Sequence, residues 1–297
     1  MDVSVIIVNY NTLQMTKDCI DSVIEKTTDV EYEIILVDNA STDGSKEFFK
    51  NYRGISYIYN EKNLGFGAAN NVGMSIARGE NILCLNSDTI FINNALKYFV
   101  EYETEYNHNV VLGSWLLDQE KNITHSYGYF ITPLKEIRTA IRVYTDRIPL
   151  LNRISFDEEK YSDLPLIVDY ITGADLFIPM KIINKVGMFD ERFFMYCEET
   201  DWQKRMEKEG VERVVINGPK IMHLEQGSQK TGTISFKKNP NKLIISTRST
   251  LLYLRKYNNV VVYEIFKYTY FFLRFFPMLF NEFPWKDKIR YFKVFFE

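Results

Sequence analysis

The first hundred residues alternate between two hydrophobic periods, and few folds accept such a pattern. Val3–Val8 is a continuous apolar run broken by one serine, which predicts a strand buried on both faces. Thr16–Lys26 carries Cys19, Ile20, Val23 and Ile24 at helical spacing. Glu33–Val37 predicts a second buried strand, Ser45–Tyr52 a short helix, Ile55–Tyr59 a third strand, Ala68–Ala77 a helix and Asn81–Leu85 a fourth strand. The order implies a mostly parallel α/β sheet with helices on both faces and right-handed crossovers. Ligands of such sheets bind beyond the carboxyl ends of the strands, where Asn9, Asn11, Asp38, Asn39, Asn86 and Asp88 fall. Beyond Val110 the pattern loosens. Residues 118–168 show few clear elements, Val168–Met180 is ordered again, and Val211–Ile216 and Lys220–His223 predict two short strands.

Four constellations carry chemistry. Asp38 ends the second strand, where a carboxylate can accept from a nucleobase imide or a ribose hydroxyl, or merely shape a turn. Asn63–Asn71 contains Gly65 and Gly67 before a helix N-terminus, which suits either an anion or a capping turn. It is not a dinucleotide fingerprint: GxGxxG is absent and the loop follows the third strand. Asn86-Ser87-Asp88 follows the fourth strand, where a carboxylate can hold a divalent cation on a diphosphate or cap the next helix. Glu198, Glu199 and Asp201 cluster among aromatic residues. Adjacent carboxylates in apolar surroundings raise one another's pKa, as a general base requires, yet a helix N-terminus also collects acids.

A formal charge of −3 excludes general nucleic-acid binding, which needs a basic footprint. Cys19, Cys84 and Cys197 have no ligand-like spacing and are odd in number, so a reducing compartment is expected, and no signal peptide is read at the N-terminus. Residues 242–297 carry ten Lys/Arg against four Asp/Glu, a net of +6, and 17 of the 45 aromatic residues lie between Tyr253 and Phe296. Within Val260–Phe280, Glu264, Lys267, Phe271 and Arg274 mark one helical stripe; the charges make it a poor spanning segment. Lys286, Lys288, Arg290 and Lys293 follow, interleaved with aromatic residues. Such a tail is suited to an anionic membrane surface; the rival readings are packing on the catalytic domain or on a second subunit as a homodimer.

Taken in order, VSVIIVNYN, LVDNASTDGS, NLGFGAANNVGM, LNSDT, ITGAD, GMFDERFFMYCEETDW and IMHLEQGS resemble bacterial family 2 glycosyltransferases of the GT-A fold. The resemblance is greatest to the rhamnosyltransferase-like subgroup that builds O-antigen and other surface polysaccharides. It implies a GT-A domain over residues 1–230, with a nucleotide-sugar half (1–110) and an acceptor half (111–230), and a helical extension over 231–297. It implies an inverting transferase, with dTDP-rhamnose as the expected donor and a saccharide or polyprenyl-linked saccharide as acceptor, at the cytoplasmic face of the cell membrane. UDP-galactose, UDP-glucose or UDP-N-acetylhexosamine are alternative donors, and a non-catalytic sugar- or nucleotide-binding module is the alternative of another class.

Residue by residue, the resemblance implies that Asn9, Tyr10, Asn11 and Asp38 line the nucleoside pocket and that Gly65, Asn70, Asn86 and Ser87 face the donor. Asp88 with His223 would hold Mg²⁺ or Mn²⁺, although Asn86 replaces the first Asp of the family's Asp-any-Asp motif. Gly173, Ala174, Asp175, Asp201 and Trp202 would border the acceptor. Of the pair Glu198-Glu199, Glu199 falls on the position of the base. His108 and His125 match nothing and are expected on the surface, and Asp201 is expected to cap a helix beginning near Trp202.

Overall fold

The computed structural model describes residues 1–106, 109–145, 165–224 and 239–297. In chain order its strands are β1 Val3–Asn9, β2 Tyr32–Asp38, β3 Ser56–Tyr59, β4 Asn81–Asn86, β5 Thr89–Phe91, β6 Val110–Leu117, β7 Tyr127–Gly128, β8 Leu166–Ile167, β9 Tyr170–Ile171, β10 Asp175–Pro179 and β11 Glu212–His223. Its helices are α1 Leu13–Lys26, α2 Ser45–Phe49, α3 Phe66–Met74, α4 Ala95–Glu105, α5 Pro133–Thr145, α6 Met180–Val186, α7 Glu198–Lys208, α8 Pro240–Tyr257, α9 Val260–Leu279 and α10 Trp285–Lys293. The chain divides into two compact units. The described residues of the first are 1–106, 109–130, 165–194 and 198–224; those of the second are 131–145, 195–197 and 239–297.

The first unit is built on a nine-stranded sheet in the order β3-β2-β1-β4-β10-β6-β11-β5, with β8 beside β11. β3, β2, β1 and β4 are parallel, as the apolar runs require, and β10 enters antiparallel between β4 and β6. The chain runs outward from β1 to β3 and returns as β4 on the other side of β1, which places a topological switch between β1 and β4. Register aligns Asn9 with Asp38 and Val8 with Asn86, so the three expected ligand-end residues sit side by side. One apolar cluster on the sheet includes Val5, Ile7, Leu36, Leu83 and Phe177; another includes Ile6, Ile35, Cys84, Ile178 and Trp202. The α/β architecture is therefore as expected.

Two boundaries differ from the sequence reading. The expected strands 211–216 and 220–223 form one strand, β11, with an irregularity between Ile216 and Ile221. Helix α7 begins at Glu198 and not near Trp202, because the first-turn acids Glu198, Glu199 and Asp201 complement the helix dipole. Much of the loosely patterned stretch 118–168, like His108, lies outside the described residues.

The second unit is helical and aromatic. Phe271 sits at the centre of a ring cluster with Phe275, Phe292, Phe295 and Phe296. The stripe of α9 that carries Lys267 and Arg274 faces inward. Arg274 is buried with Phe266, Tyr270 and Met278; its Nη2 donates to the Tyr270 hydroxyl at 3.0 Å, and that hydroxyl lies 3.5 Å from Glu136 Oε2 on α5. A guanidinium can face inward when it is hydrogen-bonded and stacked, as it is over the Tyr270 ring. Lys267 pairs with Glu264 at 2.6 Å. The outward face is the apolar one: Val261, Ile265, Tyr268, Phe272, Phe276 and Phe280 are 48–80% exposed.

Candidate active site

Asn86-Ser87-Asp88 leaves β4 at the switch point and turns into β5. β5 pairs with β11, aligning Thr89 with His223, and the Leu224 amide donates to the Asp88 carbonyl at 2.9 Å. This pairing brings Asp88 Oδ1 to 3.2 Å from His223 Nε2. An octahedral Mg²⁺ or Mn²⁺ with bonds of about 2.1 Å places adjacent ligand atoms about 3.0 Å apart. The two side chains thus fit one edge of a coordination shell, leaving the other positions to water and phosphate. No group of three His, Cys, Asp or Glu suited to a metal occurs among the described residues. Ser87 Oγ lies 3.1 Å from Thr12 Oγ1, which ties the turn to the start of α1.

The residues expected to meet the nucleoside divide into two kinds. Tyr10 is exposed and offers a ring face beside the switch point. Asn9 and Asp38 are buried and bonded within the protein. Asn9 Oδ1 accepts from Thr12 and Thr16, and its Nδ2 donates to Ser41 Oγ at 3.2 Å. Asp38 Oδ1 accepts from the Ser41 amide at 2.8 Å, and Oδ2 accepts from the Tyr57 hydroxyl at 2.9 Å. Burial and the Asp38 carboxylate push the Tyr57 phenol well above its ordinary pKa, which fixes it as the donor. Both Asp38 oxygens thus brace the loop that follows β2. Asn11, at φ +56°, accepts from the Thr42 amide at 2.7 Å and closes the same loop.

The glycine-rich turn is bonded within the protein. The amides of Leu64, Gly65 and Phe66 donate to Asn39 Oδ1, Asn63 Oδ1 and the Phe194 carbonyl, so they are not open to an anion. Gly65 has φ +88°, and a Cβ there would stand 2.1 Å from the Phe194 oxygen: the glycine admits the backbone of the 190–194 loop, not the donor. Asn70 is buried and donates to the Phe66 carbonyl of its own helix at 3.0 Å.

That crossing loop delivers the acidic pair. Glu198 is buried close to Gly67, whereas Glu199 is half-buried near Gly173, where the ring of Phe66 also approaches. Burial, reinforced by neighbouring Glu199, pushes the Glu198 carboxyl well above the ordinary range, and Glu198 Oε2 has no hydrogen-bond partner among the described residues. Burial also raises Glu199, opposed by helix-start amides and by His125. Gly173-Ala174 lies at the other border, where the Ala174 carbonyl accepts from the Asn86 amide at 3.0 Å.

Three residues expected beside the acceptor are interior instead. Asp175 is fully buried; its Oδ2 accepts from the Ser114 amide and hydroxyl at 2.7 and 2.6 Å, and burial lifts the carboxyl to about 7. Asp201 is buried against Arg205 at 3.1 Å, and Trp202 donates its indole N–H to the Gly187 carbonyl at 2.7 Å. All three hold the scaffold.

The pairings of several contributors carried no usable sequence signal. Asn39 accepts from Asn60 and Leu64 and donates to Asn63 and the Gly65 carbonyl. Asn71 both accepts from the Phe189 amide and donates to its carbonyl, each at 3.0 Å, and Gln203 does the same for Ile171 at 2.8 and 2.7 Å. His125 is on the surface as expected, but its charge acts on Glu199.

The family model described as Glycosyl transferase family 2 matches residues 4–174. An uncharacterised glycosyltransferase of Rickettsia typhi is 30% identical over 193 residues, 64% of this chain and 54% of that protein. The rhamnosyltransferase WbbL of Escherichia coli K12 is 25% identical over 219 residues, 70% of this chain and 78% of that protein. The crystal structure of GalNAc-T7 with UDP, GalNAc and Mn²⁺ superposes with a TM-score of 0.57 at 16% identity, covering 84% of this chain and 47% of that one. This likeness shows the GT-A-type fold. The chain spans about half, or less, of the length of the Rickettsia relatives it matches.

Proposed function

Because the chain belongs to glycosyl transferase family 2, we propose that it moves a sugar from a nucleotide diphosphate donor to a saccharide or lipid-linked saccharide, inverting the anomeric centre in one displacement. The observation that carries this reading is the Asp88–His223 corner after β4, together with Glu199 beside Gly173, whose neighbour Ala174 accepts from the Asn86 amide of that same strand. Asp88 and His223 would hold Mg²⁺ or Mn²⁺, which when bound neutralises charge on the departing diphosphate. Tyr10 stacks on the base, in a pocket whose wall Asn9, Asn11 and Asp38 keep rigid. Glu199, reachable beside Gly173, accepts the proton of the acceptor hydroxyl; its raised pKa brings it nearer working pH, where a general base is most effective. The Glu198 carboxyl is raised as well, and its Oε2, without a partner among the described residues, serves as a donor or acceptor to an acceptor hydroxyl.

The donor proposed is dTDP-rhamnose, supported by the similarity to WbbL. The tail is proposed to rest on anionic membrane, where a lipid-linked acceptor resides. No described helix is long and apolar enough to cross a membrane. The outward stripe of α9, with exposed Trp285, Lys286, Ile289, Arg290 and Lys293 on α10, combines apolar surface with positive charge, as an interfacial helix does. Nucleotide release should be assayed against a panel of nucleotide sugars, with the product anomer read by NMR. Release of dTDP with an inverted product is expected. Release of UDP instead moves the donor assignment, and no release from any donor with any saccharide acceptor overturns the enzymatic reading.

A further inference from the structure

Met195–Cys197, the three residues directly before Glu198, fold with the tail helices and not with the sheet. Tyr196 and Cys197 both sit at φ +68°, two consecutive non-glycine residues in the left-handed region. Side chains resist that conformation, and it persists only where neighbours over-determine it. The neighbours come from α8. Buried Ser249 donates its Oγ–H to the Met195 carbonyl at 2.7 Å, and Lys242 Nζ lies 5.9 Å over the Tyr196 ring. On the other side, Phe194 is pinned by the Phe66 amide and by Gly65. The peptide between these anchors is the lead-in to α7, whose first turn is the acidic pair.

We infer that Ser249 is a positioning residue for the reaction: its hydrogen bond locks the strained Met195–Cys197 segment and thereby sets the direction in which Glu198 and Glu199 leave it. The inference rests on the acidic pair acting at the acceptor. Losing one hydrogen bond that aims a base should cost about tenfold in turnover, while the donor pocket, built from β1, β2 and β4, is untouched.

The full-length Ser249→Ala protein should show kcat down about tenfold, donor KM unchanged, and the acid limb of the kcat–pH profile displaced. Ser249→Thr keeps the hydroxyl and should restore both. Tyr196→Gly, which accepts positive φ without strain, should make turnover less sensitive to Ser249→Ala. Wild-type kcat and pH profile in Ser249→Ala, or a loss that Ser249→Thr does not restore, overturns the inference. Glu199→Gln separates the two claims. If it abolishes turnover while Ser249→Ala is silent, only the positioning role falls; if Glu198→Gln and Glu199→Gln both retain turnover, the reading beneath it falls as well.

Discussion

Replacing Asp175 by Asn should make the protein more stable at neutral and alkaline pH and leave it nearly unchanged in acid. Asp175 has no exposed surface, one oxygen held by Ser114 and one without a partner. Burial is the largest influence on its carboxyl; the Ser114 bonds and the attraction of His223 oppose it, and the group is left at about 7 against an ordinary 3.8. The folded pKa is raised, so the folded protein holds this proton more tightly than the unfolded chain. Its contribution is fully present below the unfolded pKa and is lost as pH rises through about 4 to 7. Roughly three pKa units at 1.36 kcal/mol each amount to about 4 kcal/mol. Asn cannot lose a proton and keeps the acceptor for Ser114. Urea unfolding of both proteins between pH 4 and 8, with chelator present, isolates the group, because all other titrations cancel in the difference. The variant should gain about 4 kcal/mol on wild type across that range. A difference that does not change with pH, or one that favours wild type more as pH rises, refutes the account of Asp175 as a buried, proton-holding tie between β10 and β6.

Other outcomes follow from the site and the tail. Chelation should abolish transfer, as should Asp88→Ala, while His223→Ala should retain a remnant restored by excess Mn²⁺; full turnover in chelator would remove the metal from the account. Asp38→Asn should weaken calorimetric affinity for the free nucleoside diphosphate modestly and Asp38→Ala more strongly, since the loop loses its brace in stages; equal affinity in all three proteins would contradict this. Phe272→Asp with Phe276→Asp should reduce sedimentation with anionic liposomes, and wild-type sedimentation should itself fall with salt, as screened surface electrostatics require. Undiminished sedimentation of the double variant would move the contact off α9.

The sheet was legible because its central strands are continuous apolar runs, and only strands buried on both faces tolerate those: Val3–Val8 and Asn81–Leu85 became β1 and β4 with small shifts at their ends. Asp88 and His223 were legible as residue types, but their meeting depends on β5 pairing with β11, which no local pattern encodes. The acids were legible as a helix N-terminus, but the start of α7 was placed near Trp202, because Asp201 was taken as the cap when it lies in the first turn. The bonds of Asp38 and Asn70 were not legible, because a polar side chain serves a ligand or a neighbouring backbone group equally well, and its protein partners are set by tertiary register. Asn39 and Asn71 were in view as strand-end and loop residues, but their pairings, like that of Gln203, were not, since a side-chain amide reveals nothing until the backbone it pairs with is placed. On α9 the periodicity of the charges was legible and their direction was not, because it depends on Arg274 finding Tyr270 and Glu136 inside.

The central claim is that one carboxylate of the acidic pair takes the acceptor's proton, and turnover of Glu199→Gln measures it directly. The amide keeps the shape of the side chain and removes its basicity. With a donor identified by nucleotide release, Glu199→Gln should lose about 10²–10⁴ in kcat while its affinity for the nucleotide stays within about twofold of wild type. Near-normal turnover in Glu199→Gln, with the loss appearing in Glu198→Gln instead, would move the base one residue back; near-normal turnover in both would contradict the mechanism.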